Sequence, residues 1–536
     1  MPLETIGSRD TASGRRKPPL NGAGKPIRSR RIDPALLWLA AVFAASRLVV
    51  HARGVRFDAS PLGWFWQYLD VPWLRSDLLR SLWVLHVQPP LFNAFLGVVL
   101  KLGGRPWFTE AVFHACYAAI GLAIAGCLYD LLRRLGVGQR LALAVALLYT
   151  LSPTAIVYEN WLFYTHLEAG MLLGAAWSLL RLAETGQTRH AVVLFALLAG
   201  LALMRALFHL AWLAACAGLA LASIRPPRRS AAACAVAALG LAAVPFAKNA
   251  WLFGTPASTS WFGMNLANAV LQGYSDEELA QRVDAGVVSP LVKIAPFSPL
   301  ASYPAEWTRD PDSEIPALRL RNKKMGESNY NHLAYLELSR QYGKDALALI
   351  RRDPARYLGM LEQAWRLFLF APSDYDLVEP NRARLGAWDR LYDAVIYGIP
   401  DAWTGQRRPA VSPQWTRPTP LASWRRVGWL WFALSSAAVC HAGWLVSRES
   451  WRRWRAAEPG ARPAANRIDP ARLAALAFCV FNVVFVSVAA NAVELGENNR
   501  FRVAIEPLLA VLVAYSASRL AATQRRGSAS WARKSA

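Results

Sequence analysis

The chain has 536 residues, 54% of them hydrophobic, with a positive mean hydropathy and 23 tryptophans. A net charge of +24 would suggest a nucleic-acid partner in a soluble protein. Here the basic residues stand beside apolar runs and no basic motif accompanies a reading element, so the expected partner is a lipid bilayer and not nucleic acid. All six cysteines lie inside apolar runs, which excludes a disulfide framework and a thiol metal site.

Residues 1–32 form a basic stretch ending "RSRRI" that lacks the apolar content to build a core, and a disordered cytoplasmic tail is expected. Apolar runs then fall at about 35–51, 107–131, 139–157, 161–182, 190–204, 206–223, 230–247, 427–446, 472–491 and 503–521. Most approach the roughly 20 residues needed to cross about 30 Å of hydrocarbon, giving about ten crossings, two of them short. The clusters Arg28/Arg30/Arg31, "RRLGVGQR", "RPPRRS", "SRESWRRWR" and "RRGSASWARK" all fall on the cytoplasmic side when both termini are placed there. "RIDPA" occurs at Arg31–Ala35 and again at Arg467–Ala471, each time an Asp N-cap followed by Pro at the first helical position.

The expected fold is therefore an all-α polytopic membrane protein. An N-terminal transmembrane module, 33–250, includes a first outer loop, 52–106. A mainly helical extracytoplasmic domain, 251–426, follows, with helices over "NYNHLAYLELSRQYGKDALALIRR" and "PARYLGMLEQAWRLFLF". Helices in 427–521 and a cytoplasmic tail, 522–536, complete the chain. Within the first loop, "QPPLFNAFLGVVLKLGG" is too short to cross and is expected to lie on the outer surface as a helix. The Ala, Arg and Leu bias suggests a bacterial source, hence the cytoplasmic (inner) membrane.

Ionisable residues at a membrane face are costly and tend to be functional. On the outer side they are Asp58, Asp70, Asp77 and His86 in the first loop, Glu159 in "VYENWLFYT", Lys248 in "PFAKNAWLFG", and Glu497, Arg500 and Arg502 in "GENNRFR". A few carboxylates beside several cations suit a reaction that needs a base and a site for a phosphate leaving group. Arg500 and Arg502, two apart, are expected to grip that phosphate together. Simpler roles exist for some: a helix cap for Glu159, a snorkelling lysine for Lys248, core histidines for His114 and His209. Arg205, between two short runs, marks a helix break. H-E-x-x-H, Walker, G-x-S-x-G and C-x-x-C motifs are absent, so no metal and no cofactor is expected.

Taken together, "HVQPPLFNAFLG", "YENWLFYT" and "ENNRFR" resemble the GT-C membrane glycosyltransferases, closest to the protein O-mannosyltransferase and lipid A aminoarabinose transferase branch (glycosyltransferase family 39-like). The resemblance covers roughly 33–250 and 427–521. It implies a sugar on polyprenyl phosphate as donor and an acceptor hydroxyl on a lipid, glycan or protein. It further implies Asp58 or Asp70 as general base, His86 in the juxtamembrane motif, and Arg500 and Arg502 at the phosphate, with Glu159, Lys248 and Glu497 as further substrate-binding candidates. The family's acidic pair after the first helix is reduced here to single aspartates. A transporter or flippase would instead predict inverted repeats and charges at the bilayer midplane, and a non-catalytic lipid-binding protein of envelope assembly would keep the fold without the base.

Overall fold

The computed structural model describes residues 33–224, 228–404, 410–411, 423–455 and 468–532. The expected tail 1–32, the end of the C-terminal tail and the first three residues of "RPPRRS" lie outside them. Among the described residues every regular element is helical, interrupted only by isolated bridges.

Six helices are long and apolar enough to cross a membrane: α1 (Pro34–Ala52), α3 (Pro106–Leu135), α9 (Arg229–Phe253), α13 (Trp429–Arg455), α14 (Pro470–Val493) and the run Asn498–Gln524. This is the architecture of a helical multi-pass membrane protein. Both "RIDPA" repeats start helices as expected. The Asp33 carboxylate accepts from the Ala35 N–H at 3.0 Å, and that of Asp469 from Ala471 at 2.9 Å, with proline at the first turn of each helix. The "PPL" segment forms α2 (Leu91–Gly103), a helix of 13 residues.

The other apolar runs are less regular. The run 139–157 is two helices, α4 (Gln139–Thr150) and α5 (Pro153–Glu159), bent by 52°. Proline at 153 pushes Ser152 into extended backbone, and the Ser152 hydroxyl then caps α5 by accepting from the Ala155 N–H. Counted as one span, the pair makes seven. The remaining runs are α6 (Thr165–Thr185), α7 (Thr188–Met204) and α8 (Leu210–Ser223), the last two separated by extended backbone at Arg205. Helix α6 is central: it packs on α3, α7 and α14.

Two apolar cores organise the molecule. One joins the long helices through α6, α7, α14 and the Asn498–Gln524 run. The other gathers Phe65, Tyr68 and Leu96 of the first loop, Trp161 and Phe163, and Trp261, Leu291, Tyr335 and Tyr342 of the large polar region. The first loop and residues 261–349 thus share a core, and the compositional boundary at 251 does not separate two. In the large region α10 (Phe262–Leu271) packs on α11 (Ala334–Arg352) so closely that a Cβ on Gly263 would stand 1.8 Å from the Ser339 carbonyl oxygen. Helix α12 (Pro354–Phe368) begins at the first residue of the expected "PARYLGMLEQAWRLFLF" segment, capped by the Asp353 carboxylate accepting from the Arg356 N–H.

Candidate functional site

The connection between α14 and the last span is built by its own amides. Gly496 at φ +129° takes a conformation that side chains disfavour, and its N–H donates to the Asn498 carboxamide. Asn498 Nδ2 donates to Asn491 Oδ1 and to the Glu494 carbonyl, both at 2.9 Å. Asn499 Nδ2 donates to the carbonyls of Ala371 and Asp374. These bonds hold a short helix, α15 (Asn498–Arg502), under the large region, with all five of its residues buried.

Arg500 faces a cavity of about 560 Å³, a size typical of small-molecule sites. Its wall is formed by Trp66, Gln67 and Gln88 of the first loop, Tyr164, Arg205 and His209, Trp261 and Asn265, and Glu494, Glu497 and Phe501. The Arg500 guanidinium is ion-paired with Glu497, whose other oxygen accepts from the Tyr375 hydroxyl at 2.7 Å. It also lies 4.7 Å from the centre of the Phe163 ring. Arg205 pairs with the fully buried Glu168 at 3.0 Å and sits 4.3 Å from the centre of Phe501. Three wall atoms are buried without a partner among the described residues: Arg500 Nε, Gln67 Oε1 and Trp261 Nε1. Buried donors and acceptors are ordinarily satisfied, so these mark places where a polar ligand would fit.

Glu494 lines the same wall and makes no ion pair among the described residues. Burial, followed by the charge of Glu497, raises its acid above the usual carboxylate range, while Arg500, Arg205 and a hydrogen bond from the Leu495 N–H pull it back. Burial likewise pushes the Tyr375 phenol well above its usual value.

Of the candidate site residues named in the sequence, Glu497 and Arg500 line this cavity and the rest do not; Arg205, expected as a helix break, and His209, expected as a core histidine, line it as well, His209 being exposed and capping α8 instead of packing in a core. Arg502 corrects the expected two-arginine grip: it points away, pairing with Glu506 at 2.6 Å and donating to the Phe368 carbonyl at 2.9 Å. On a helix, positions two apart lie on opposite faces. Asp58 is bridged to Trp161 through backbone bonds, and its carboxylate accepts from the Ser60 N–H. Asp70 accepts from the Lys324 N–H at 2.8 Å beside buried Lys323, whose ammonium burial lowers to about 8. His86 is buried between Ser260 and Asn331; its Nε2 meets the Asn331 carbonyl at 3.0 Å, so Nε2 carries the proton and Nδ1 accepts from the Ser260 hydroxyl. Burial lowers His86 to about 3, and it is neutral. Lys248 donates to the Leu85 carbonyl, and Glu159 receives Arg47 in two bonds of 2.9 and 2.7 Å. These residues fasten the first loop and α5 in place.

Glu494 and Arg205 carry more of the cavity than the sequence reading assigned them. The available signals were the three-residue spacing of Glu494, Glu497 and Arg500, and an arginine interrupting two apolar runs. Comparison with protein-family models, curated proteins and solved structures finds no match for this chain.

Proposed function

We propose that this chain is a membrane glycosyltransferase of GT-C type, moving a sugar from a polyprenyl-phosphate donor to an acceptor hydroxyl at the outer face of a bacterial cytoplasmic membrane. The observation that carries this reading is one cavity whose wall combines two guanidiniums, two indoles and partnerless polar atoms, at the junction between the membrane helices and the outer segments. The donor phosphate meets Arg500 and Arg205, which neutralise the charge that develops on it as it leaves, in a site dry enough for those contacts to count. The sugar packs against Trp66 and Trp261, and the isoprenoid chain runs out along the apolar side lined by Phe485, Ala489 and Val493. Direct attack of the acceptor oxygen inverts the anomeric centre, with a carboxylate taking the proton. In this reading α4–α5, α6, α7 and α8 all cross, giving ten crossings with both termini cytoplasmic.

One observation favours a second reading, a non-catalytic polyprenyl-phosphate binder: the carboxylates of Asp58 and Asp70 are engaged by backbone N–H groups outside the cavity wall. The full chain in lipid nanodiscs, offered a panel of polyprenyl-phosphate sugars with lipid, glycan and peptide hydroxyls, separates the two. Release of polyprenyl phosphate with glycosylated acceptor is expected. Tight binding of polyprenyl phosphate without release would favour the binder, and neither binding nor release would sink both.

A further inference from the structure

We propose that Glu494 is the group that takes the proton from the acceptor hydroxyl, a role that rests on the glycosyltransferase reading above. Two carboxylates line the cavity, Glu494 and Glu497. Glu497 is committed to Arg500 on one oxygen and to the Tyr375 hydroxyl on the other, so it serves to hold Arg500 in place. Glu494 has no guanidinium on it and is partly accessible from the cavity. It stands at the end of α14, where the chain leaves helical geometry (φ −136°, ψ 142°) and the side chain is freed from the helix surface.

The step balances without a co-reactant. The acceptor oxygen forms a bond to the anomeric carbon as the bond from that carbon to the phosphate oxygen breaks. The electron pair leaves with the phosphate, which Arg500 and Arg205 neutralise, and the hydroxyl proton goes to a Glu494 oxygen. The lipid monophosphate then departs and Glu494 returns its proton to water at the cavity mouth.

The groups facing Glu494 set its titration. Glu497, the residue before α15, and Arg500 on it share the cavity wall with Glu494, as do Arg205 and His209 from the break between α7 and α8 and Tyr164 from the start of α6, with Glu168 behind Arg205. The Leu495 N–H bonds the Glu494 carboxylate, and the Tyr357 hydroxyl of α12 donates to the Ala492 carbonyl, two residues before it, at 2.7 Å. Burial and the charge of Glu497 raise the acid above its ordinary value, which makes the carboxylate a better base than a free one. Because the ionised form is the base, the rate rises with pH as Glu494 loses its proton.

The test uses the full chain in nanodiscs with the same donor panel, comparing wild type, E494Q, E494D, D58N and D70N, with polyprenyl phosphate binding followed by native mass spectrometry. Loss of about 100-fold or more in turnover for E494Q is expected, with polyprenyl phosphate affinity unchanged within about threefold, partial rescue by E494D, and loss of the rising limb of the pH profile. D58N and D70N should keep most of their turnover. An E494Q protein that turns over at the wild-type rate, or a D58N or D70N protein that alone is dead while still binding polyprenyl phosphate, would overturn the role of Glu494 and leave the glycosyltransferase reading standing. A wild-type chain that binds the lipid but releases nothing, or that does neither, overturns the reading and the role with it.

Discussion

Glu159 can be assigned to structure or to substrate by a double-mutant cycle with Arg47. The carboxylate is fully buried and the Arg47 side chain 14% exposed, with paired contacts of 2.9 and 2.7 Å and a third bond from Arg47 to the Thr150 carbonyl at 2.9 Å. The pair fixes α1 to the bend between α4 and α5. Water reaches little of it, so solvent screening takes away little of the interaction. Removing one partner leaves an uncompensated buried charge, which costs about 3–5 kcal/mol, whereas replacing both by apolar groups of similar volume is close to neutral. R47M and E159L should therefore each lower stability by about 3–5 kcal/mol, and R47M/E159L should return to within about 1 kcal/mol of wild type. Unfolding by sodium dodecyl sulfate in mixed micelles, followed by tryptophan fluorescence, measures this. A double variant as unstable as the two single losses added together would refute the reasoning. Polyprenyl phosphate binding by the isosteric E159Q, corrected for the folded fraction, should equal that of wild type; a loss of about tenfold or more would return Glu159 to the substrate.

Gly121 faces the same carboxylate, and a Cβ there would stand 2.3 Å from Glu159 Oε2, so G121A should displace it from Arg47 and destabilise by about 1–3 kcal/mol, read in the same unfolding assay. At the contact between α10 and α11 the neighbour of Gly263 is backbone, which cannot yield as a side-chain tip can; G263A should cost more than G121A or prevent folding of the large polar region, seen as new protease cleavage between residues 262 and 352. His86 is held below its ordinary value of 6.5, at about 3, so the unfolded chain binds a proton there that the folded chain does not. The stability it contributes is complete above about 6.5 and falls by roughly 1.4 kcal/mol per pH unit as pH drops toward 3; H86Q should flatten the acid side of the pH–stability curve. R500M should abolish polyprenyl phosphate binding, whereas R502M should lower stability and leave the affinity of the folded fraction within about threefold, in contrast to two arginines sharing one phosphate.

Helix starts and breaks were the most legible features, because proline and N-cap chemistry act within a few residues. Asp33, Asp353 and Asp469 each cap where the local sequence says they should, and Arg205 breaks the chain where it interrupts two apolar runs. The apolar run 161–182 is a helix only from Thr165 on, four residues later than the composition marks, since Trp161 and Phe163 pack with the first loop and the large polar region. Site residues were harder. Asp58, Asp70, His86 and Lys248 all form hydrogen bonds, but with Ser60, Lys324, Asn331 and Leu85, and three of these four partners belong to distant segments or to backbone that no local pattern identifies. An ionisable residue at a membrane face signals that its cost has been met, and the sequence does not say whether a ligand or the protein meets it.

The polar stretch between the last two spans shows how that ambiguity resolves. Written as a loop, "GENNRFR" offers two arginines at neighbouring positions. Folded as a helix, its period sorts the charges into two sets. Glu497 and Arg500, three apart and preceded by Glu494, take the face toward the cavity, while Arg502 and Glu506, four apart, take the face toward Phe368 and Tyr397. The asparagines between them, Asn498 and Asn499, bond to Asn491 and to the carbonyls of Glu494, Ala371 and Asp374, and so fix the helix against both α14 and the segment after α12. Arg502 anchors one side so that Arg500 can be presented on the other. A single substitution at either arginine therefore tests a different half of the arrangement: affinity at 500, stability at 502.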